Sequence, residues 1–293
     1  MASNGSIAFL GIGLMGARQA RRLLEAGQTL RVWNRSRQKA ETLAPFGASV
    51  AATAAEAVSS ADVVITMLEN GPVVEDVLFR QDVASALKRG AIVVDMSSIG
   101  VEEARSHARR LADSGIGHLD APVSGGTVGA EQGTLAIMVG GKAEVFARVE
   151  PLLRLMGRPA HVGPSGSGQL AKLANQIIVG VTIGAVAEAL LLAEKGGADP
   201  AKVRQALRGG FADSRVLDLH GERMIARDFT TRGRSATHLK DLDNALGAAR
   251  AIGLATPYAE LTADLFRGLL AHAGDLDHSG LFVELARRSG GVA

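Results

Sequence analysis

The stretch Gly11-Ile12-Gly13-Leu14-Met15-Gly16 decides the fold of this chain. The apolar run at residues 6–10 precedes it and predicts a short buried strand. We expect a helix to follow as far as about Ala26, and residues 29–33 predict a second strand. A G-x-G-x-x-G motif that joins a strand to a helix within one βαβ unit indicates a dinucleotide-binding loop. The alternative is a glycine-rich turn that binds no ligand.

Each glycine of the motif has a physical task. Gly11 permits the tight turn, Gly13 lets a pyrophosphate approach the backbone, and Gly16 lets the helix pack closely on the strand. The N-terminus of the helix then points its unpaired N–H groups at the phosphates. We therefore expect the whole six-residue stretch to contact a dinucleotide.

The residues Asn34-Arg35-Ser36, at the end of the second predicted strand, bear on the choice of cofactor. An NAD enzyme usually carries an acid here, whereas Asn34 can hydrogen-bond a ribose without repelling a phosphate. Arg35 can pair with a 2′-phosphate, and Ser36 can donate a hydrogen bond to it. The sequence therefore predicts NADP (as NADPH), with NAD bound at lower affinity. A solvated surface arginine is the alternative.

Strands and helices continue to alternate. Strands are predicted at residues 63–67, 91–95, 118–121, 135–139 and 160–162, and helices at 72–79 and 101–114. Ligands of open α/β sheets bind beyond the carboxyl ends of the strands. Met67, Leu68 and Ser98 are therefore candidate walls of the cofactor site, although each could equally be an ordinary strand terminus.

A Ser124-Gly125-Gly126 turn follows the strand at 118–121. One hydroxyl and two unencumbered N–H groups can hold a carboxylate, and a flexible glycine-rich loop is the alternative. The Gly- and Ser-rich linker at 163–168 then breaks regular structure. We predict an α/β Rossmann-type dinucleotide-binding domain over residues 1–163. An all-helical domain for substrate binding and oligomerisation is predicted over 164–293.

A long central helix at residues 168–195 is predicted to join the domains. Lys172, Asn175 and Gln176 lie at i, i+3 and i+4 and so share one face. The segment 177–193 is apolar nearly all round, which predicts burial on every side, including against a partner subunit. A membrane span is disfavoured because the apolar run is shorter than the ~20 residues that a span needs and contains Glu188.

Five further helices are predicted at residues 200–208, 215–225, 237–252, 257–273 and 280–288. Lys240 lies near the start of the third of these, where it could reach back to the cofactor or be a surface charge. The 293 residues carry a net charge of only +2, which gives no indication of a nucleic-acid surface. The chain contains no cysteine, no visible cluster of metal ligands and no recognisable signal peptide, so we expect a cytoplasmic protein without a resident metal.

The chain resembles the β-hydroxyacid dehydrogenases, the family related to 3-hydroxyisobutyrate dehydrogenase. The likeness covers nearly the whole chain and lies in residues 11–16, 120–126, 168–176 and 240–242. A finer likeness to the members that reduce tartronate semialdehyde lies in residues 172–176, 208–218 and 277–280. The chain departs from the common family pattern at Glu69, Gln176, Gly233, Ser235 and Ala236, as well as at Asn34-Arg35.

The resemblance implies a role for each matching residue. Lys172 matches the catalytic lysine, and Asn175 matches the amide that orients the substrate. The turn formed by Ser124, Gly125 and Gly126 matches the site for the substrate carboxylate. Cofactor contacts are implied for Met67, Leu68, Val73, Ser98 and Lys240.

The expected reaction is the NADPH-dependent reduction of a small carboxylate-bearing aldehyde, with tartronate semialdehyde reduced reversibly to glycerate. The nicotinamide would give a hydride to the carbonyl carbon and Lys172 a proton to its oxygen. Reduction of glyoxylate or succinic semialdehyde, or oxidation of 3-hydroxyisobutyrate or serine, are the alternatives. An imine reductase or a non-catalytic NADP-binding module is disfavoured by Lys172. The resemblance also implies a homodimer or homotetramer.

Overall fold

The first strand, β1 (Ile7–Leu10), is buried on both of its faces. Phe9 lies in one hydrophobic core, and Ala8 and Leu10 lie in another. A strand that is buried on both faces needs helices on both, which is typical of parallel α/β sheets. The computed structural model, which describes residues 6–290, has this architecture in the first of two units. The first unit ends at Lys172 and the second begins at Leu173.

Within the described residues, the first unit contains one sheet of nine strands. They are β1, β2 (Leu30–Trp33), β3 (Ser49–Val50), β4 (Val63–Thr66), β5 (Ile92–Asp95), β6 (Gly117–Asp120), β7 (Val123–Ser124), β8 (Leu135–Gly141) and β9 (Gly157–Gly163). The strand order is β3-β2-β1-β4-β5-β6-β8-β7, and β9 pairs with β8. Strands β1 to β6 are parallel in the Rossmann order, so the predicted fold class is confirmed.

The helices of the first unit cover both faces of the sheet. They are α1 (Leu14–Glu25), α2 (Arg37–Glu41), α3 (Ala54–Val58), α4 (Gly71–Phe79), α5 (Val83–Ala86), α6 (Val101–Asp113), α7 (Gly126–Gln132) and α8 (Ala143–Leu153), with a 3-10 turn at Ala44–Phe46. Ala20 and Leu23 of α1 pack into one core, whereas Ala104 and Leu111 of α6 pack into the other. The sequence did not predict α8, the short elements α2, α3, α5, α7, β3 and β7, or the antiparallel pairing of β8 with β6 and β7.

The carboxyl ends of five parallel strands are level with one another. Leu10 pairs with both Trp33 and Thr66, Thr66 pairs with Asp95, and Asp95 pairs with Asp120. The residues that follow these strands therefore lie along one edge of the sheet, where open α/β folds bind their ligands.

The second unit is all-helical, as predicted. Its helices are the greater part of α9 (Ser167–Lys195), α10 (Pro200–Leu207), α11 (Arg215–Ala226), α12 (Ser235–Ala251), α13 (Pro257–Ala273) and α14 (Leu281–Arg288), with a 3-10 turn at His278–Gly280. Ile183 and Leu190 of α9 pack into a core with Phe266 and Phe282. The predicted domain boundary at 163/164 remains a prediction.

In the single chain one side of α9 is exposed, so its burial on every side, which was expected to include a partner subunit, stays a prediction. Ile178 is 66% exposed and Leu192 is 77% exposed, while Ile183 and Leu190 on the other side are buried. In the most apolar part of α9, only 33% of the residues are buried within the chain. By length and composition alone α9 could cross a membrane, but the core helices of soluble proteins are often equally long and apolar.

Candidate active site

The glycine-rich loop after β1 has the geometry that its sequence predicts. The N–H of Gly11 donates to the carbonyl of Trp33 at 2.9 Å, and Gly11 has a φ of +102°. A Cβ on Gly11 would overlap the carbonyl oxygen of Met67, and one on Gly16 would overlap that of Gly11. Gly13 differs because a Cβ there would meet nothing within 4 Å. The loop is therefore close-packed at its two ends and open at Gly13.

The open face at Gly13 fits the phosphates of a dinucleotide. Gly13 caps α1 without a side-chain hydrogen bond, and no acidic residue lies in the first turn. Gly13 and Leu14 are exposed, whereas Ile12 is buried and Met15 is half-buried. The first N–H groups of a helix lack partners within it and attract anions. A pyrophosphate can therefore approach the backbone here, as the motif predicts.

Asn34 ties the end of β2 to this loop. Its Oδ1 accepts a hydrogen bond from the N–H of Ile12 at 2.9 Å, and its Nδ2 donates to the carbonyl of Ser36 at 3.0 Å. An amide nitrogen carries two N–H groups, so the second can serve a ribose hydroxyl. Arg35 and Ser36 are both exposed. The side chains predicted to bind a 2′-phosphate are thus accessible to solvent.

The other predicted cofactor contacts of the first unit lie near the same edge. Met67 and Leu68 follow β4, and Ser98 follows β5 by three residues. The N–H of Leu68 donates to Ser97 Oγ at 2.9 Å, which links these two segments. Val73 lies in the first turn of α4, where its N–H donates to Asn70 Oδ1 at 3.0 Å. All four predicted contacts are half-buried, so each is still partly accessible.

The turn predicted to hold the substrate carboxylate has an unusual backbone. Gly125 has a φ of +137° and Gly126 has a φ of +63°, backbone angles that residues other than glycine rarely adopt. Ser124 is half-buried in β7, and both glycines are exposed. A partly accessible hydroxyl beside the N–H groups of two exposed glycines is suited to bind an anion.

Lys172 lies in the second turn of α9 and is 9% exposed. The first turn of this helix is joined to the strand ends by a buried network that sequence reasoning missed. Asp120, the last residue of β6, accepts from the N–H of Gly166 at 2.8 Å and of Gln169 at 2.9 Å. Burial raises the pKa of Asp120 to about 6, although these hydrogen bonds oppose the shift. An acidic residue at the end of a strand predicted to be buried was the available signal.

The remaining predicted site residues belong to a chain of contacts in the second unit. Asn175 Nδ2 donates to Gln176 Oε1 at 2.8 Å, and Gln176 Nε2 donates to Asp241 Oδ2 at 2.8 Å. Lys240 Nζ lies 3.2 Å from Asp241 Oδ1. The structure thus connects Asn175 to Lys240, and it gives Gln176 a role as the bridging amide.

A second buried polar cluster was also missed. His220 Nε2 lies 2.8 Å from His278 Nε2, and one ligand atom each of these histidines and of Asp277 lies within 4.8 Å of the others. Burial lowers the pKa of His220 to about 4, which favours a neutral ring.

Asp277 does not have the surroundings of a metal ligand. Its two oxygens accept hydrogen bonds from Arg223 Nη1, Ser279 N, Ser279 Oγ, Arg232 N and Gly233 N. Burial opposes ionisation, but these bonds bring the pKa of Asp277 to about 2. Because both oxygens have partners and Arg223 adds positive charge, the cluster fixes the loop before α12.

Comparison with known proteins gives the class to which this site belongs. Residues 6–180 match the family described as the NAD binding domain of 6-phosphogluconate dehydrogenase. Residues 166–285 match the family described as the NAD-binding domain of NADP-dependent 3-hydroxyisobutyrate dehydrogenase. The chain belongs to the 3-hydroxyisobutyrate dehydrogenase-related family of β-hydroxyacid dehydrogenases.

Individual relatives are similar to this chain over nearly its full length. The chain is 46% identical over 278 residues to 2-hydroxy-3-oxopropionate reductase of Escherichia coli (strain K12), covering 94% of this chain and 95% of the relative. It is 36% identical over 273 residues to an NAD-dependent L-serine dehydrogenase of Pseudomonas aeruginosa, covering 90% and 92%. A structure of Mycobacterium tuberculosis 3-hydroxyisobutyrate dehydrogenase with L-serine has a TM-score of 0.89 at 35% identity, covering 96% and 99%.

These matches define the coarse activity. The chain is an oxidoreductase that uses a nicotinamide cofactor and acts on the CH–OH group of small 3-hydroxyacids.

Proposed function

We propose that this enzyme reduces tartronate semialdehyde to glycerate with NADPH, and that Lys172 is the proton donor. The observation that carries the proposal is a nearly buried lysine on α9, in the unit that also contains the glycine-rich loop and the Ser124-Gly125-Gly126 turn. The 46% identity to 2-hydroxy-3-oxopropionate reductase of E. coli supports this substrate above others.

Each residue has one task in the proposed mechanism. When bound, the nicotinamide supplies a hydride to the carbonyl carbon. Lys172 gives a proton to the carbonyl oxygen, so an aldehyde becomes a primary alcohol; in the reverse direction the neutral amine accepts that proton. Ser124 and the N–H groups of Gly125 and Gly126 hold the substrate carboxylate. Asn175 orients the substrate so that its carbonyl carbon faces the nicotinamide and its oxygen faces Lys172.

The NADPH preference in this proposal depends on Arg35. The guanidinium is exposed beside Asn34, which carries no charge to repel a phosphate. Lys240, joined to Asn175 through Asp241 and Gln176, is the proposed cofactor contact in the second unit. We also propose that the enzyme is cytoplasmic and works as a homodimer or homotetramer.

Lys172→Ala tests the chemical step. We expect single-turnover NADPH oxidation to slow by ~10²–10⁴-fold, the usual contribution of a positioned acid–base group. NADPH affinity and the thermal unfolding midpoint should change little, because the glycine-rich loop is untouched. Lys195→Ala, a lysine in the last turn of the same helix, is the matched control. A Lys172→Ala rate within a few-fold of wild type would remove the lysine from the mechanism.

Dehydrogenation of L-serine is the second candidate. The P. aeruginosa relative named for that activity and the M. tuberculosis structure with L-serine both favour it. A panel of tartronate semialdehyde, succinic semialdehyde and glyoxylate with NADPH, and of L-serine and 3-hydroxyisobutyrate with NADP and NAD, separates the candidates. The highest kcat/KM should belong to tartronate semialdehyde; a higher value for L-serine would reverse the assignment.

A further inference from the structure

The carboxylate of Asp120 lies against the start of α9 and has no solvent exposure. Its two oxygens accept from the N–H groups of Gly166 and Gln169, one on each oxygen. The first N–H groups of a helix have no partner within the helix. Asp120 therefore joins the end of β6 to the residues that begin α9.

Gln169 makes a second connection from the same turn. Its Nε2 donates to the carbonyl of Ser97 at 2.8 Å, and its Oε1 accepts from the N–H of Ile99 at 3.2 Å. Both bonds are buried and reach the segment that follows β5. Ser97 Oγ also accepts a hydrogen bond from the N–H of Leu68, a predicted contact of the cofactor. The first turn of α9 is therefore connected through Ser97 to the predicted cofactor site.

Two glycines let this turn approach the sheet closely. A Cβ on Gly140 of β8 would lie 2.6 Å from both Asp120 Oδ1 and the nitrogen of Gly168. A Cβ on Gly168 would overlap the carbonyl oxygens of Asp120 and Met138. The start of α9 thus lies at a separation from β6 and β8 that no larger residue permits.

We propose that Asp120 and Gln169 are positioning residues that place Lys172 for proton transfer. Lys172 follows Gln169 by three residues, which puts both on the same side of the helix. Four hydrogen bonds that fix the first turn therefore fix the position of the lysine one turn later. This inference rests on the proposed role of Lys172 as proton donor.

The charge of Asp120 has a part in this arrangement, because a protonated carboxyl accepts two N–H bonds less well than a carboxylate. Asp95, at the end of β5, is paired with Asp120 in the sheet, and its charge adds to the rise in the pKa of Asp120. His118 precedes Asp120 by two residues on β6, and Arg105 on α6 donates to the carbonyl of Ser165 beside Gly166. Burial raises the pKa of Asp120 to about 6 and lowers that of His118 to about 3, so Asp120 titrates near neutrality while His118 stays neutral. We expect kcat to fall below about pH 6 as Asp120 is protonated.

Asp120→Asn in the full-length enzyme is the main test. The amide keeps the shape but presents an N–H group to one of the two backbone donors. We expect kcat to fall about 10- to 100-fold, as for a slightly misplaced reacting group, while the KM for NADPH stays within about twofold. The decline of kcat below about pH 6 should disappear. Hydrogen exchange should become faster in peptides that cover residues 166–172.

Asp199→Asn is the matched control, since Asp199 also accepts from two backbone N–H groups, at the start of α10. It should leave kcat and its pH profile unchanged. Gln169→Leu removes the other two hydrogen bonds and decides the question if Asp120→Asn does not fold; it should lower kcat similarly. Wild-type kcat in either folded variant, or a decline of kcat below about pH 6 that persists in Asp120→Asn, would overturn the inference.

Lys172→Ala, measured in parallel, separates the two levels of the proposal. A slow Lys172→Ala enzyme beside a normal Asp120→Asn enzyme would overturn the positioning role alone. A normal Lys172→Ala rate would overturn the proposed function, and the positioning role with it.

Discussion

Gly13, which caps α1, and Gly16, in the first turn of that helix, lie three residues apart, yet substitution should affect them differently. Gly13 has open space where a Cβ would be, and its φ of −88° suits any residue. A Cβ on Gly16 would overlap the carbonyl oxygen of Gly11. One glycine is therefore required by the ligand and the other by the fold.

We expect Gly13→Ala to fold with a free energy of unfolding within about 1 kcal/mol of wild type. The added methyl group occupies the space of the pyrophosphate, so the Kd for NADPH should rise at least about tenfold. Gly16→Ala should cost about 1–3 kcal/mol or more in stability, as overpacking does. Urea unfolding and fluorescence titration with NADPH check both. Equal loss of stability in the two variants would contradict this division of roles.

Arg35 is the residue on which the cofactor preference depends. A charge-assisted contact to the 2′-phosphate contributes ~1.5–3 kcal/mol, which corresponds to roughly 10- to 150-fold in affinity. Asn34→Asp with Arg35→Val should reverse the preference for NADPH, since it removes the cation and adds a repulsive acid. Asp at position 34 can still accept from the N–H of Ile12, so the loop should persist.

The measurement is kcat/KM with NADPH and NADH for both enzymes. Arg37→Val, which removes a neighbouring exposed arginine that is paired with Glu41, is the control and should leave the ratio unchanged. Equal use of the two cofactors by the wild-type enzyme would refute the assignment to Arg35.

At the scale of elements, the sequence predicted the strands and helices that have a clear hydrophobic pattern of their own. The strand β1 is a continuous apolar run, and β4 and β5 are apolar up to their last residues, Thr66 and Asp95. The helix α13 begins and ends at its predicted residues. The strand β7 has only two residues and exists because β8 pairs with it, so its own sequence carries little signal. Helix α8 was missed; it contains Pro151, a residue disfavoured inside helices.

The residues of the candidate site likewise fall into those that the sequence predicted and those that it did not. The glycine-rich loop and the Ser124-Gly125-Gly126 turn are local in sequence, so their spacing was enough to find them. Asp120 and Gln169 are separated by 49 residues, and His220 and His278 by 58. Such partners depend on which strands and helices become neighbours, which a pattern of residue types does not specify.

The start of α9 should make stability depend on pH through Asp120. Its folded pKa of about 6 exceeds its usual value of 3.8, so between about pH 4 and pH 6 the folded state binds more protons than the unfolded state. Stability from this group is therefore highest at the acid end and falls as the pH rises through that window. Asp120→Asn should lack this fall, which amounts to about 3 kcal/mol.

Urea unfolding of both proteins at several pH values between about 4 and 7 checks this expectation. The difference in free energy of unfolding between Asp120→Asn and wild type should grow in favour of the variant as the pH rises. Asp95, whose pKa burial also raises, is present in both proteins, so most of its contribution cancels. Parallel curves would show that Asp120 keeps an ordinary pKa in the folded state.

At the scale of the whole molecule, α9 presents an exposed apolar side that soluble monomers rarely carry. Leu170, Ile178 and Leu192 are 40%, 66% and 77% exposed, and Ala174, Ala185 and Ala189 between them are also exposed. Their spacings of three, four or seven residues place them along one side of the helix. Contiguous exposed apolar surface of this kind marks interfaces. We infer that a second copy of the chain covers it.

The wild-type enzyme should sediment as a dimer or tetramer of the 30.3 kDa chain at micromolar concentration. Ile178→Asp with Leu192→Asp should shift it towards monomers, because each buried, unpaired carboxylate costs several kcal/mol at an apolar interface. Ile252→Asp, at an equally exposed position after α12, is the control and should leave the assembly intact. Analytical ultracentrifugation decides: a wild-type enzyme that is monomeric at micromolar concentration would mean that α9 carries its exposed apolar side without a partner.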